Sequence, residues 1–201
     1  NGNLTEEKFT GDPNIINAIN QGAGFLFFSG HGNPMVWSTY PLHNDTPWMG
    51  SLYIWNMNKL SNMEKLPVCV VGGCHNSQFD VTVLNFIKGF LKERLKFFIS
   101  DVSGNTGSMW KYEWMPRCWS WNLVHQEYGG SIATIGNTGL GYGVPGEECI
   151  NSVDGWITTH FFQVYSLFSQ QDKPYLGNVH GQTVTDYVNT FKNDWSRLDS
   201  K

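Results

Sequence analysis

The chain has 201 residues, 40% of them apolar, and its 13 Lys and Arg against 17 Asp and Glu leave a formal net charge of -4. That is enough apolar residue for one ordinary globular domain with a core. No basic cluster marks a nucleic-acid footprint, no apolar run reaches the ~18 to 20 residues of a membrane span, and four cysteines are too few for a disulfide scaffold.

Asp12-Pro13 followed by Ile15, Ile16 and Ile19 predicts a helix opened by proline and ended by Gly22. Phe25 to Ser29 then runs apolar without alternation, as a parallel strand covered on both faces does. Residues 34 to 66 are polar and aromatic, and Pro41, Pro47 and Trp48 suggest loop, with a short helix over Ser51 to Leu60 and a role as the rim of a cleft. Val68 to Val71 is a second buried strand. From Phe79 to Ile99 the residues Val83, Leu84, Ile87, Phe90, Leu91, Leu95 and Phe98 recur every three or four positions, which predicts a helix with one buried stripe. Ser100 to Pro116 reads as a surface excursion, and Cys118 to Tyr128 as a helix stopped by Gly129-Gly130. Ser131 to Ile135 is a third strand, left by the glycine-rich segment Gly136 to Gly143. Helices over Gly155 to Phe168 and Thr183 to Trp195 complete an alternation of helix and strand that implies an open α/β sheet with parallel strands.

Ligands of such sheets bind at the carboxyl ends of the strands. Two strands there release a reactive side chain on a tight turn, His31 within Gly30-His31-Gly32 and Cys74 within Gly72-Gly73-Cys74-His75-Asn76. A thiol near its free pKa of ~8.5 is mostly protonated at neutral pH and needs a base, so the pair has the makings of a cysteine hydrolase. Each residue alone would be an ordinary turn histidine or an inert buried thiol, and His75 is the rival for the role of base. A zinc set from Cys69, Cys74 and His75 is disfavoured, because a separation of five along a strand sends the two thiols to opposite faces. The loop from Gly136 to Gly143 lacks the helix that a dinucleotide turn opens. Nine Trp and eight Tyr could stack on sugars. Trp119, Trp121, Trp156 and Trp195, however, fall in predicted helices as core or covering residues.

Ala18-Ile19-Asn20-Gln21-Gly22-Ala23-Gly24 leading to Gly30-His31-Gly32, then Lys65-Leu66-Pro67 leading to Gly73-Cys74, then Gly129-Gly130-Ser131-Ile132-Ala133-Thr134-Ile135-Gly136, resemble the gingipain-type cysteine peptidases (peptidase family C25) of the caspase-like group. The likeness runs in order from about residue 11 to about residue 195. Cys74 lacks the Gln-Ala that precedes the caspase nucleophile, which disfavours caspase proper. The gingipain type also places strand-helix units ahead of the histidine strand, and only about 23 residues precede it here.

The resemblance implies a caspase-like three-layer α/β sandwich, a mostly parallel sheet with helices on both faces, forming one peptidase domain over residues 1–201 that lacks upstream strand-helix units. It implies a cysteine endopeptidase with Cys74 as nucleophile and His31 as general acid and base. The oxyanion hole would come from the backbone N–H groups of Gly32 and Cys74. Substrate would be lined by Ser29, Gly30, Gly73, Gly136, Asn137 and Thr138, and glycine at 32 would let it approach the main chain. Cleavage after Arg or Lys would need an acidic pocket residue, for which only Asp45 and Asp101 offer themselves. No cofactor is required, although the family allows a structural calcium. The partner is a polypeptide substrate, with further domains or an upstream segment of the same precursor. Few Lys and Arg, many Asn, Gly, Ser and Thr, and the glycosylation sequons at Asn3 and Asn44 suit a secreted or cell-surface protein. The alternative is a caspase-like fold kept for binding alone, since fold does not guarantee activity. Cys118 and Cys149 are left as a pairing that sequence does not decide.

Overall fold

The computed structural model describes residues 12–39, 49–84, 87, 91, 115–143, 150, 151, 153–170 and 174–194. Two compact units divide the chain, Asn1–Gly139 and Leu140–Lys201.

In the first unit, helix α1 (Asp12–Gln21) buries Ile16 and Ile19, one turn apart, on its core face. It stops at Gly22, whose φ of +87° is left-handed and whose N–H returns to the Ile19 carbonyl (2.9 Å). A side chain there would also strike Lys65 Cβ at 2.7 Å, so glycine is required twice over. The chain then enters β1 (Phe25–Phe28), which pairs in parallel with β5 (Val68–Val71), itself paired in parallel with β6 (Ala133–Gly136). Phe28 lies opposite Val71 and Val71 opposite Gly136, so the three strands end level. Side chains alternate across a sheet. Leu26, Phe28, Cys69 and Val71 therefore share the face that enters the main core, with Trp37, Leu52, Met57, Leu60, Trp119 and Leu123. Phe27, on the opposite face, is an exposed large apolar residue, so β1 is not covered on both faces as its unbroken apolar run predicts. Phe28 sits edge-on to both Trp37 (4.8 Å between centroids) and Trp119 (5.4 Å), which anchors the last residue of β1 in that core.

Between β1 and β5 lies a second sheet, an antiparallel meander of β2 (His31–Asn33), β3 (Val36–Thr39) and β4 (Met49–Tyr53), followed by a 3-10 helix (Ile54–Lys59). The expected loop and the helix over 51–60 are thus replaced by strand and a tighter helix. The reason is visible at Asn33. Its Oδ1 accepts from the N–H groups of Met35 (2.8 Å) and Val36 (3.2 Å), turning the chain at Pro34 so that β3 can run back along β2. Leu52 and Met57 enter the core from strand and 3-10 helix, where a continuous α-helix would need one stripe.

Helix α2 (Trp119–Val124) is shorter than the expected 118–128 and places Trp119 fully inside, its indole N–H donating to the Leu52 carbonyl (2.8 Å). That bond satisfies the one polar atom the burial would otherwise strand. Of the helix expected over 79–99, residues 83, 84, 87 and 91 are described and helical. Val83, Leu84, Ile87 and Leu91 are each more than half exposed. The buried stripe is therefore not met at these positions: periodicity specifies helix and an apolar face, not what covers it.

In the second unit, α3 (Val153–Phe168) packs against α4 (Leu176–Thr190) through Phe161, Val164, Val179 and Tyr187. The α4 helix begins seven residues before the expected Thr183. Its glycines 177 and 181 discourage a helix locally, and tertiary packing at Val179 overrides them. His160 Nε2 on α3 donates to Asp186 Oδ2 on α4 at 2.9 Å, and Trp156 stacks on the His160 ring. No helix among the described residues is long and apolar enough to cross a membrane. Asn3, Asn44, Asp45, Asp101, Cys149, Trp195 and residues 100–114 lie outside the described residues.

Candidate active site

Because β1, β5 and β6 end in one row, the segments that leave them start side by side. The Gly72 N–H donates to the Phe28 carbonyl (2.8 Å) and carries the β1–β5 ladder one residue further. Beyond it, Gly73 lies against Gly32: a Cβ on Gly73 would stand 3.2 Å from the Gly32 Cα. His31 and Cys74, the chain neighbours of these two glycines, therefore branch from adjoining stretches of backbone. His31 is exposed at the start of β2 and Cys74 is half-buried at the start of its turn.

The loop after β6 closes on the same turn. His75 N–H donates to the Gly139 carbonyl (2.7 Å) and Ser77 N–H to the Asn137 carbonyl (2.9 Å), while a Cβ on Gly136 would stand 2.6 Å from Ser77 Oγ. From the other side, Ser77 Oγ and Ser120 Oγ share a 2.6 Å hydrogen bond, and the Ser120 N–H donates to the Asn76 carbonyl (2.9 Å). His75, Asn76, Ser77 and Gln78 are all buried. The Cys74 turn is thus gripped by β2–β3, by the β6 loop and by α2 at once.

The residues named from the sequence lie around this turn as follows. Gly30 backs onto β3, its Cβ position 3.1 Å from the Trp37 ring and 2.7 Å from the Ser38 carbonyl. Gly32, Gly73, Gly136 and Asn137 are drawn together by the contacts above, while Ser29 and Thr138 are exposed on the flanking turns. The need for glycine at 32 and 73 has a cause that sequence reasoning did not see. The side chain of Asn76 occupies the place where a Cβ would begin on either residue. Asn76, which the sequence reading left without a role, is fully buried and donates from Nδ2 to the carbonyls of Asn33 (2.8 Å) and Val36 (3.0 Å). Nothing in its local sequence distinguishes it from a turn asparagine.

Burial separates the cysteines. Cys69 and Cys118 are free thiols with almost no exposed surface, and desolvation pushes both up from the ordinary thiol pKa, Cys69 far beyond the range where thiolate forms. Cys74 retains access to solvent. His75 is a poor base on geometry: its ring is buried, its Nδ1 is engaged by Gln78 Oε1 at 2.7 Å, and its backbone sits at a left-handed φ of +55°. Among the described residues no three His, Cys, Asp or Glu side chains gather as a metal set.

The sequence matches Peptidase family C25 over residues 2–199. No curated protein matches it. Among solved structures, the Arg-specific cysteine proteinase gingipain R (RgpB) is similar over 96% of this chain and 34% of its own, with 18% identity and a TM-score of 0.59. The complex of the pro- and mature domains of Porphyromonas gingivalis RgpB is similar over 100% of this chain and 35% of its own, with 15% identity and a TM-score of 0.56. The chain thus spans about a third of the length of these structures. At such identities the likeness speaks to fold, and the fold is the expected caspase-like α/β sandwich built on a mostly parallel sheet. With nearly its whole length matched, the chain belongs to peptidase family C25.

Proposed function

We propose that this protein is a cysteine endopeptidase, with residues 1–201 forming a peptidase domain that further strand-helix units precede. The observation that carries the proposal is the contact of Gly32 with Gly73, which sets His31 and Cys74 on adjoining backbone at the level ends of β1 and β5. His31 takes the Cys74 proton, and Sγ attacks the scissile carbonyl carbon, forming a C–S bond and a tetrahedral oxyanion held by the N–H groups of Gly32 and Cys74. The oxyanion collapses, the C–N bond breaks, and the proton on His31 passes to the departing amine. Water then hydrolyses the thioester, releasing the acid and restoring the thiol.

Ser29, Gly30 and Gly73 form one wall for the residue before the scissile bond, and Gly136, Asn137 and Thr138 the other. A preference for Arg or Lys is supported by the Arg specificity in the name of the similar gingipain R. An upstream segment of the same precursor is supported by the similar complex of pro- and mature domains. The chemistry needs no cofactor, and a calcium ion would be structural. Secretion or surface display fits the composition.

The test is a peptide library incubated with wild-type protein and with Cys74→Ala. Cleavage after Arg or Lys that falls by about 10^6-fold in the variant supports the reading. Cleavage that survives the substitution overturns it, and no cleavage by the wild type leaves a caspase-like binding domain.

A further inference from the structure

Asn76 is two residues beyond the nucleophile and has no exposed surface. Its side-chain amide reaches across forty residues of sequence or more and spends both hydrogens on main-chain carbonyls, those of Asn33 and Val36 at the two sides of the β2–β3 turn. Reversing the amide would set its oxygen against two carbonyl oxygens, so the orientation is fixed by chemistry. The Oδ1 atom accepts no hydrogen bond among the described residues and lies against both Gly32 and Gly73. An unsatisfied buried amide oxygen costs stability. A second buried asparagine shows what a merely structural strap looks like in this chain. Asn62 joins Lys65 to Gly130, donating to both carbonyls at 2.9 Å, and its Oδ1 accepts from the Gly130 N–H at 2.7 Å, so every polar atom is used. Asn62 holds a loop; Asn76 lies against both of the glycines that neighbour His31 and Cys74.

We propose that Asn76 is a positioning residue: by holding the β2–β3 hairpin to the Cys74 turn and packing its Oδ1 against both Gly32 and Gly73, it sets the separation of His31 from Cys74. The inference rests on the reading of those two residues as a dyad. Asn76 touches no substrate and moves no proton. It acts through the backbone, where a displacement of about 1 Å at the reacting groups lowers rate by about 100-fold.

The test is the rate of iodoacetamide labelling of Cys74 from pH 5 to 9, with the melting temperature of each protein, for wild type, His31→Ala, Asn76→Ala, Asn76→Asp and Asn62→Ala. His31→Ala, which removes the base, is expected to label Cys74 more slowly at pH 6 than the wild type does. Asn76→Ala is expected to be slowed there as well, by about 100-fold. Asn62→Ala, with a comparable loss of buried hydrogen bonds, is expected to melt earlier and keep the wild-type profile. Asn76→Asp covers the case in which the alanine variant does not fold: buried against two carbonyls its acid is held protonated and supplies one donor in place of two, giving an intermediate rate. Wild-type labelling that ignores His31 sinks the dyad. A dyad that passes that control, with Asn76→Ala or Asn76→Asp folded and labelling as wild type does, overturns the role of Asn76; so does equal slowing in Asn62→Ala.

Discussion

Both units fasten distant segments with polar side chains, at very different depth. Around the Cys74 turn the groups are inside: Asn76 and Ser120 have no exposed surface and Ser77 only 2%. Between α3 and α4 the fastening is His160 to Asp186, whose side chains are 22% and 34% exposed. A half-exposed pair is screened by water and contributes little, about 0–1 kcal/mol. A buried polar network is costly to desolvate and destabilising when broken, but it admits one geometry. On the proposed reading the depth of the network follows the need for position: the helix pair has only to stay together, while the turn would hold a thiol in register with a histidine.

That contrast can be broken most easily at Gly73. Gly73→Ala drives a methyl group into Asn76 and toward the Gly32 Cα, and is expected to destabilise by about 1–3 kcal/mol while lowering peptide cleavage by about 100-fold. Denaturant unfolding alongside kcat/KM checks it, and a variant that loses stability but keeps full activity would uncouple packing from chemistry. Ser120→Ala is next. It strands the Ser77 hydroxyl, for a loss of about 1–3 kcal/mol, and a change within measurement error would mean that the network is not a source of stability.

The smallest effect belongs to α3–α4. The hydrogen bond from His160, and then that from Gln182, holds the Asp186 carboxyl below its ordinary range. A lowered carboxyl pKa gives stability that is complete above the unfolded value, about 3.9, and is lost as pH falls from there through the folded value. His160→Ala should cost no more than about 1 kcal/mol at neutral pH and should reduce this acid-limb loss. Thermal melts from pH 2.5 to 7 decide it, and a large neutral-pH loss would show that the pair is more than a surface contact.

The parallel pairing of β1 with β5 was legible because both are continuous apolar runs, but cover on both faces of β1 was not, since Phe27 is 48% exposed and a run without alternation does not say what lies over each face. His31 and Cys74 stood out because a reactive residue follows each run. The meander was not legible, since strands of three to five residues carrying Gly, Ser, Trp and Asn have no period long enough to read, and the decisive turn depends on the Asn33 side chain. Helix was legible at 83, 84, 87 and 91, but the exposure of the apolar residues there depends on what stands opposite. Asn76 was invisible for a similar reason: its partners lie 40 and 43 residues away, and a glycine in a turn reads equally well as room for substrate.

The central claim, that His31 and Cys74 act as a pair, is tested most directly by trapping. A peptidyl chloromethyl ketone ending in arginine should add once, on Cys74, at a rate that falls by about 100- to 10,000-fold in His31→Ala, as read by intact mass and peptide mapping. An adduct on another residue, or on Cys74 at the same rate without His31, would contradict the account.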